Sequence, residues 1–323
     1  MSNDPFATAA RPALYAPPRD PALPKDGIYP GIPFEEYHRW NAASNSRLKD
    51  MDRSPAYCQE RMTNPSESTP AQFEGTATHA ALFEPESFDA RYVVVGTCAA
   101  TTKAGAPCGN AANRVIDGEG YCGLRGHAPD GAPDPRIALT EEQHDAILAR
   151  VASCVALPRV ARLLDSLVHR ELSILWTDPE TGAACKARID GLAVVGDRRI
   201  LIDAKRTKDA HPDDFPKAMF NQGIHRQLAW YARGLASVGE PVTDSLVLTM
   251  QDDAPFEAYL YRPLDAVLTF GHRENARALS AYVECLRSGE WPAGPDKVLN
   301  VDLPEGAKQK MQAEDFNQAE DVS

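Results

Sequence analysis

An α/β fold, a short mixed β-sheet flanked by helices, is predicted by three features of the sequence. Segments with an apolar period near 3.6 stand on both sides of a central block of strand-like runs. Within that block, RILIDA at residues 199–204 opens with the continuous apolar run of a buried strand. Pro179 with Gly182, and then the Gly196-Asp197 pair, supply turns that cut the block into short strands.

The elements follow in order. Eight of the 26 prolines lie in the first 33 residues, so residues 1–26 are expected to be a disordered, Pro-rich arm. Residues 46–62 read as a helix with Ser44 or Ser46 as its N-cap. Residues 73–83 (FEGTATHAALF) read as a second helix, with Gly75 allowing close packing. Residues 96–136 lose every apolar period to Gly, Ala, Pro, Cys and Asn, as in an insertion. Residues 140–168 are helical again, with Ile147, Val151, Val155, Leu163 and Leu164 as apolar positions. Strands are expected at 171–176, 184–195 and 199–204, a long helix at 215–238, strands at 244–250 and 258–261, and a closing helix at 264–287. The polar stretch 296–323 reads as a tail. The body is thus 27–95 joined to 137–295.

Composition narrows the function classes. Of 323 residues, 43% are apolar and 25% charged, which excludes wholesale disorder. The net charge of −12 argues against a surface that binds nucleic acid indiscriminately. No run approaches the ~18 apolar residues of a membrane span, and the first twenty residues lack the apolar region of a secretion signal. The expectation is a cytoplasmic protein with no membrane contact. Seven cysteines, an odd number without an export signal, argue against a disulfide framework.

The sharpest chemistry lies in Asp190 and in Asp203-Ala204-Lys205, read as the ends of two neighbouring strands. Strands ~4.8 Å apart let two carboxylates converge on one ion, and without a cation they repel. Mg²⁺ suits such a pair. Period two puts Lys205 on the face of Asp203, where it can orient a metal-bound water or neutralise charge developing on phosphate. From Lys186 to Lys208 seven basic residues face three acidic ones, a local net of +4 that offers phosphate contacts, Arg188 and Arg206 among them.

The phrases GTATH, CKARIDGL, LIDAKRT and HRQLAWY occur in that order. With NSRLKDMDRSPAYC, FEGTATHAALFEPESFDARY and SGEWPAG they resemble the PD-(D/E)xK nuclease superfamily, in its RecB/RecE-type branch of phage and prophage exodeoxyribonuclease VIII-like proteins. The resemblance spans about residues 27–95 and 137–295. It implies a restriction-endonuclease-like core and a Mg²⁺- or Mn²⁺-dependent DNA exonuclease. In it His79, Asp190 and Asp203 would hold the metal, Lys205 would be the catalytic lysine, and Glu171 would assist. Gln227 and Tyr231 match the family's Q-x-x-x-Y motif, on the DNA-binding side of the site. The substrate implied is a double-stranded DNA end resected for recombination, with a single-strand annealing or recombinase partner and a ring-like homo-oligomer. An endonuclease or nickase of the same fold, or a non-catalytic zinc-containing DNA-binding phage protein, are the alternatives. Without the resemblance, Glu171 reads equally well as a cross-strand partner of Lys186 or Arg188, and His225 and Arg226 as a solvated face.

Within the insertion, Cys98, Cys108, Cys122 and His127 make a soft four-ligand set suited to structural Zn²⁺. The segment has almost no apolar residues, so bound metal would supply its folding free energy. It also resembles short C-x-x-TTKxGxPC…G-x-YC-x4-H zinc modules. An iron–sulfur cluster is the lesser alternative. Lys103, Arg114 and Arg125 could make this module a guide for DNA, and it reads equally as a stiff knob for a protein contact.

Overall fold

The computed structural model describes residues 19–64, 70–110, 112–294, 297–304, 306–309 and 311. The elements are β1 (Gly27–Tyr29), α1 (Phe34–Arg39), α2 (Asn45–Arg53), α3 (Pro55–Thr63), α4 (Pro70–Phe83), α5 (Pro85–Arg91) and β2 (Tyr92–Val94). Then come β3 (Arg114–Ile116), β4 (Glu119–Tyr121), β5 (Ile137–Leu139), α6 (Glu141–Val155), α7 (Pro158–Asp165), β6 (Leu167–Thr177), β7 (Ala184–Val195) and β8 (Arg198–Thr207). The last are α8 (Phe215–Asn221), α9 (Ile224–Ser237), β9 (Asp244–Gln251), β10 (Ala258–Tyr261) and α10 (Asp265–Ser288).

Six strands form one mixed sheet in the order β1-β6-β7-β8-β9-β10. All neighbours run antiparallel except β8 and β9, which are joined through α8 and α9 and run parallel. The predicted α/β class holds. Period two sends Leu201 to one face of β8 and Ile200, Ile202 and Ala204 to the other. Helices α2, α9 and α10 cover the first face, around Leu48, Trp176, Trp230 and Tyr282. Helices α4, α6 and α7 contribute Phe83, Cys154 and Val160 to the second.

Three predicted helices are each two. Residues 46–62 break at Ser54, which caps α3 ahead of Pro55, and Ser44 is the N-cap of α2. Residues 140–168 break before Pro158, and Leu167 and Val168 already belong to β6. Residues 215–238 break at Gly223, whose φ of +66° is left-handed. Asp190 and Asp203 lie inside β7 and β8, because pairing continues past both. A Cβ on Gly75 would meet nothing within 4 Å, so close packing is not its role. The described end of the expected arm, residues 19–26, is tied by side-chain bonds to Thr177 of β6. Residues 1–18 lie outside the described residues, but Arg19 bonds Asp26 (2.5 Å) and Thr177 (2.9 Å).

Two long-range features carry stability tests. Gly271 of α10 packs on α9 so closely that a Cβ would sit 2.6 Å from the His225 carbonyl oxygen. Gly271→Ala is therefore expected to cost about 1–3 kcal/mol by forcing the helices apart, read as a lower denaturant midpoint. Lys186, 5% exposed, donates to the carbonyls of Tyr37, His38 and Trp40 at 3.0, 3.3 and 2.8 Å, capping the end of α1. Burial, aided by Arg47, pushes its ammonium down to about 8. Between pH 8 and the ordinary value of 10.5 the unfolded chain holds a proton that the folded chain lacks, so this group makes stability rise with pH. Lys186→Met should remove that component, up to roughly 1.4 kcal/mol per pH unit. Parallel stability–pH curves for the two proteins would refute it.

The insertion is rooted on neighbouring strands. β2 pairs with β5 in parallel, and the Val95 N–H reaches the Leu139 carbonyl at 2.7 Å, so both ends of 96–136 leave from one place. It has a small apolar core after all, with Val95, Ala112 and Val115 buried beneath the β3–β4 hairpin. Residues 292–323 form a second unit, in which Val298 and Val301 are almost fully exposed. Among the described residues no helix is long and apolar enough to cross a membrane.

Candidate active site and a cysteine–histidine cluster

The β6–β7 register sets Arg170 against Gly191 and Leu172 against Ile189, which brings Glu171 opposite Asp190. Like charges facing each other across an antiparallel pair repel. Glu171 answers with a left-handed φ of +48°, which a non-glycine residue adopts at a cost. His79, projecting from α4, completes the group. One ligand atom each from His79, Glu171 and Asp190 lie within 4.8 Å of one another.

Backbone groups of β8 orient this trio. His79 Nε2 lies 2.9 Å from the Ala204 carbonyl, so it carries the proton and donates. Nδ1 is then left bare, 3.5 Å from Asp190 Oδ2. Burial and then Lys205 push the His79 pKa down, which keeps the imidazole neutral and able to ligate. Asp190 Oδ2 accepts from the Ala204 N–H at 2.7 Å. One residue of β8 thus positions two of the three groups.

Asp203 stands differently from expectation. It falls outside the mutual 4.8 Å set, and Lys205 Nζ lies 2.8 Å from each of its oxygens. The carboxylate is wholly buried, and its Oδ2 has no well-directed hydrogen-bond donor among the described residues. Burial pushes its pKa up to about 6 against the pull of Lys205. Burial also raises Asp190, and it raises Glu171 with the help of Asp190. Burial opposes the charge on Lys205, but Asp203 and Asp190 outweigh it and raise its pKa.

Three carboxylates, Asp190 and Asp203 buried and Glu171 half-buried, stand with Lys205 and with Arg188, whose Nε is 3.0 Å from Glu171. Asp190 has no Lys or Arg within ion-pair distance among the described residues, only the neutral His79, and Asp203 Oδ2 has the Lys205 ammonium 2.8 Å away but no well-directed donor. An imidazole nitrogen with carboxylate oxygens is a donor set suited to a divalent cation, so these residues fit one.

The DNA-side residues are placed unevenly. Gln227 Nε2 donates to the Tyr231 hydroxyl at 2.5 Å. Burial, and then the Asp203 and Asp190 charges, raise that hydroxyl's pKa. Arg188 also holds the Ile32 carbonyl at 3.0 Å, and Arg206 bonds Glu74 and Asp252 at 2.5 Å each. Arg198 pairs with Asp244, and Arg199 with Glu240. The +4 segment is therefore not a basic patch: of its seven cations only Lys208 is exposed without an ion pair among the described residues. His225 and Arg226 are buried, not solvated, and are held by Glu274 and by Asn275 with Asp52.

One residue at the site was not legible in the sequence. Lys49 of α2 donates to the Gln222 carbonyl at 2.6 Å. Burial and then the Lys205 charge push its pKa down, so a second ammonium stands near Asp203 and Lys205. Only its place in NSRLKD hinted at it.

The four insertion ligands meet as expected, all within 4.8 Å. Cys108 and Cys122 sulfurs are 3.7 Å apart, and His127 Nδ1 is 3.3 Å from Cys122 Sγ and 3.7 Å from Cys98 Sγ. A tetrahedron built on ordinary Zn–S and Zn–N bonds has edges of about 3.8 and 3.6 Å, so the set fits that ion. Desolvation works against a Cys98 thiolate, but N–H groups of Cys122 and Ala100 outweigh it and hold the thiol down at about 6.

No protein-family model matches the chain, and no curated protein matches it in sequence. A solved protein of Eubacterium rectale, named as a candidate exonuclease, superposes with a TM-score of 0.51 at 13% identity. The match covers 85% of this chain and 96% of that one. A second solved protein covers 43% of this chain at 16% identity, with a TM-score of only 0.26. The chain therefore shares the mixed α/β fold of the Eubacterium rectale protein, with a compact acid–imidazole–lysine cluster inside it.

Proposed function

We propose that the chain is a metal-dependent deoxyribonuclease, a RecE-like exonuclease that resects double-stranded DNA ends. One observation carries this reading. His79, Glu171 and Asp190 converge within 4.8 Å, next to an Asp203–Lys205 pair, and Asp190 has no Lys or Arg ion pair among the described residues. His79, Glu171 and Asp190 would hold the Mg²⁺ or Mn²⁺, with Asp203 Oδ2 as a further acceptor. When bound, the ion supplies charge stabilisation at the phosphate and a more acidic water. Lys205 Nζ holds a positive charge where negative charge grows on the phosphate, and Lys49 adds a second ammonium. The Ala204 carbonyl fixes the His79 tautomer, and Tyr231 and Gln227 border the carboxylates on the α9 side. The Cys3His cluster would carry a structural Zn²⁺ that stiffens the insertion.

The test is Mg²⁺-dependent digestion of a linear duplex labelled separately at each 5′ and 3′ end, beside closed circular DNA. Mononucleotide release from the 5′ strand alone, sensitive to EDTA, is the expected result. Equal cutting of the circle would replace the exonuclease with an endonuclease, and no cleavage at all would reject the reading.

A further inference from the structure

We infer that Phe34 and His38 form a stacking platform for an unpaired nucleobase of the DNA strand at this site. The inference rests on the nuclease reading above.

Helix α1 is anchored from one side only. Tyr37 and Trp40 are buried and pack with Leu175 of β6. Phe34 and His38, four residues apart, share the adjoining exposed side, the His38 ring centroid 5.6 Å from that of Tyr37. Both are exposed, Phe34 by 57%, and their ring centroids lie 4.1 Å apart at 53°. Phe34 leaves more than half of its apolar surface in water.

The pair stands beside the acid cluster. A single guanidinium bridges the two, since Arg188 Nε bonds Glu171 and its Nη1 bonds the Ile32 carbonyl, each at 3.0 Å. Pro33, with φ −58°, leads directly from Ile32 into Phe34. Two residues of chain span at most ~7 Å, so the rings lie within a few nucleotides of the carboxylates. Movement of this wall is opposed from below by Lys186, which bonds three carbonyls of α1 and lies 4.6 Å from the Tyr37 ring centroid.

The occupant follows from size and charge. Two half-exposed rings offer about 200 Å² of apolar surface, far below the ~800 Å² per partner of a stable protein interface. That is the scale of one or two base faces. Exposed Glu35 and Glu36 disfavour a phosphate on the helix itself, while Arg39 is exposed with no ion pair among the described residues. Aromatic faces beside a cation suit bases, which stack without regard to sequence.

The test uses the full-length chain with a linear duplex bearing a three-nucleotide unpaired end, and the same duplex with abasic residues there. Binding is measured with Ca²⁺ in place of Mg²⁺. Phe34→Ala should weaken binding of the base-bearing end roughly tenfold and leave the abasic end unchanged, while Phe34→Tyr retains affinity. In Phe34→Trp the indole fluorescence should be quenched by the base-bearing end alone. Equal affinity of the wild-type protein for both ends would overturn the platform. So would self-association that Phe34→Ala abolishes, because a second copy would then be the occupant. If the end-label assay shows no cleavage but base-dependent binding persists, the nuclease reading fails and the platform stands. Cleavage with base-independent binding removes the platform alone.

Discussion

Asp190→Asn should lower DNA cleavage by at least about 10³-fold while the metal-free protein melts at the same temperature or higher. Loss of the charge removes one ligand of the acid cluster, and electrostatic groups at reacting centres carry effects of this size. The stability half follows from the register. Asp190 faces Glu171 across two strands, and burial already pushes both carboxyls upward. A neutral amide relieves that repulsion, yet its oxygen can still accept the Ala204 N–H now held at 2.7 Å. Lys205 keeps Asp203 as its partner. Function would thus cost stability at this position, as it does where like charges are held for a metal. Melting in EDTA and single-turnover digestion in Mg²⁺ check the two halves. Cleavage within tenfold of wild type would reject Asp190 as a ligand, and a marked fall in melting temperature would reject the repulsion argument.

Cys122→Ser should abolish the binding of one equivalent of zinc and open residues 96–136 to protease, with the six-stranded sheet still folded. Among the described residues the insertion buries Ala112, Val115 and Ile116, with Val95 at its root, too little to order some forty residues unaided. Zinc in such sites contributes about 10–16 kcal/mol, so its loss is decisive for the module. The sheet is spared because β2 and β5 meet where the insertion leaves the body. Metal analysis and limited proteolysis read both effects. Wild-type protein purified without zinc, yet protease-resistant through 96–136, would show that the four ligands are not a metal site.

Much of the site was legible in residue order, and its wiring was not. Asp190, Asp203 and Lys205 announce themselves because charged residues interrupt apolar strands. The role of Glu171 does not, since its neighbour Asp190 is nineteen residues away and only the antiparallel register sets the two face to face. Arg188 illustrates the same limit: its guanidinium holds Glu171 and also the Ile32 carbonyl, which lies 156 residues before it in the chain. The basic run at 186–208 dispersed because alternate side chains leave a strand on opposite faces, each meeting different acids. The helix breaks at Pro55, Pro158 and Gly223 were written in the residues, but the apolar period runs through them.

The sequence alone determined the α/β alternation, the placement of acids and lysine on adjacent strands, and the grouping of three cysteines with a histidine. These rest on short-range periodicity and on ligand chemistry, which local residue order carries. Tertiary structure decided which acid faces which, that His79 presents Nδ1, that Asp203 is held by Lys205, and that Lys186 caps a helix. Those outcomes depend on strand register and on helices packed from distant segments. Burial then sets which charges must be paired, and no local pattern encodes that pairing.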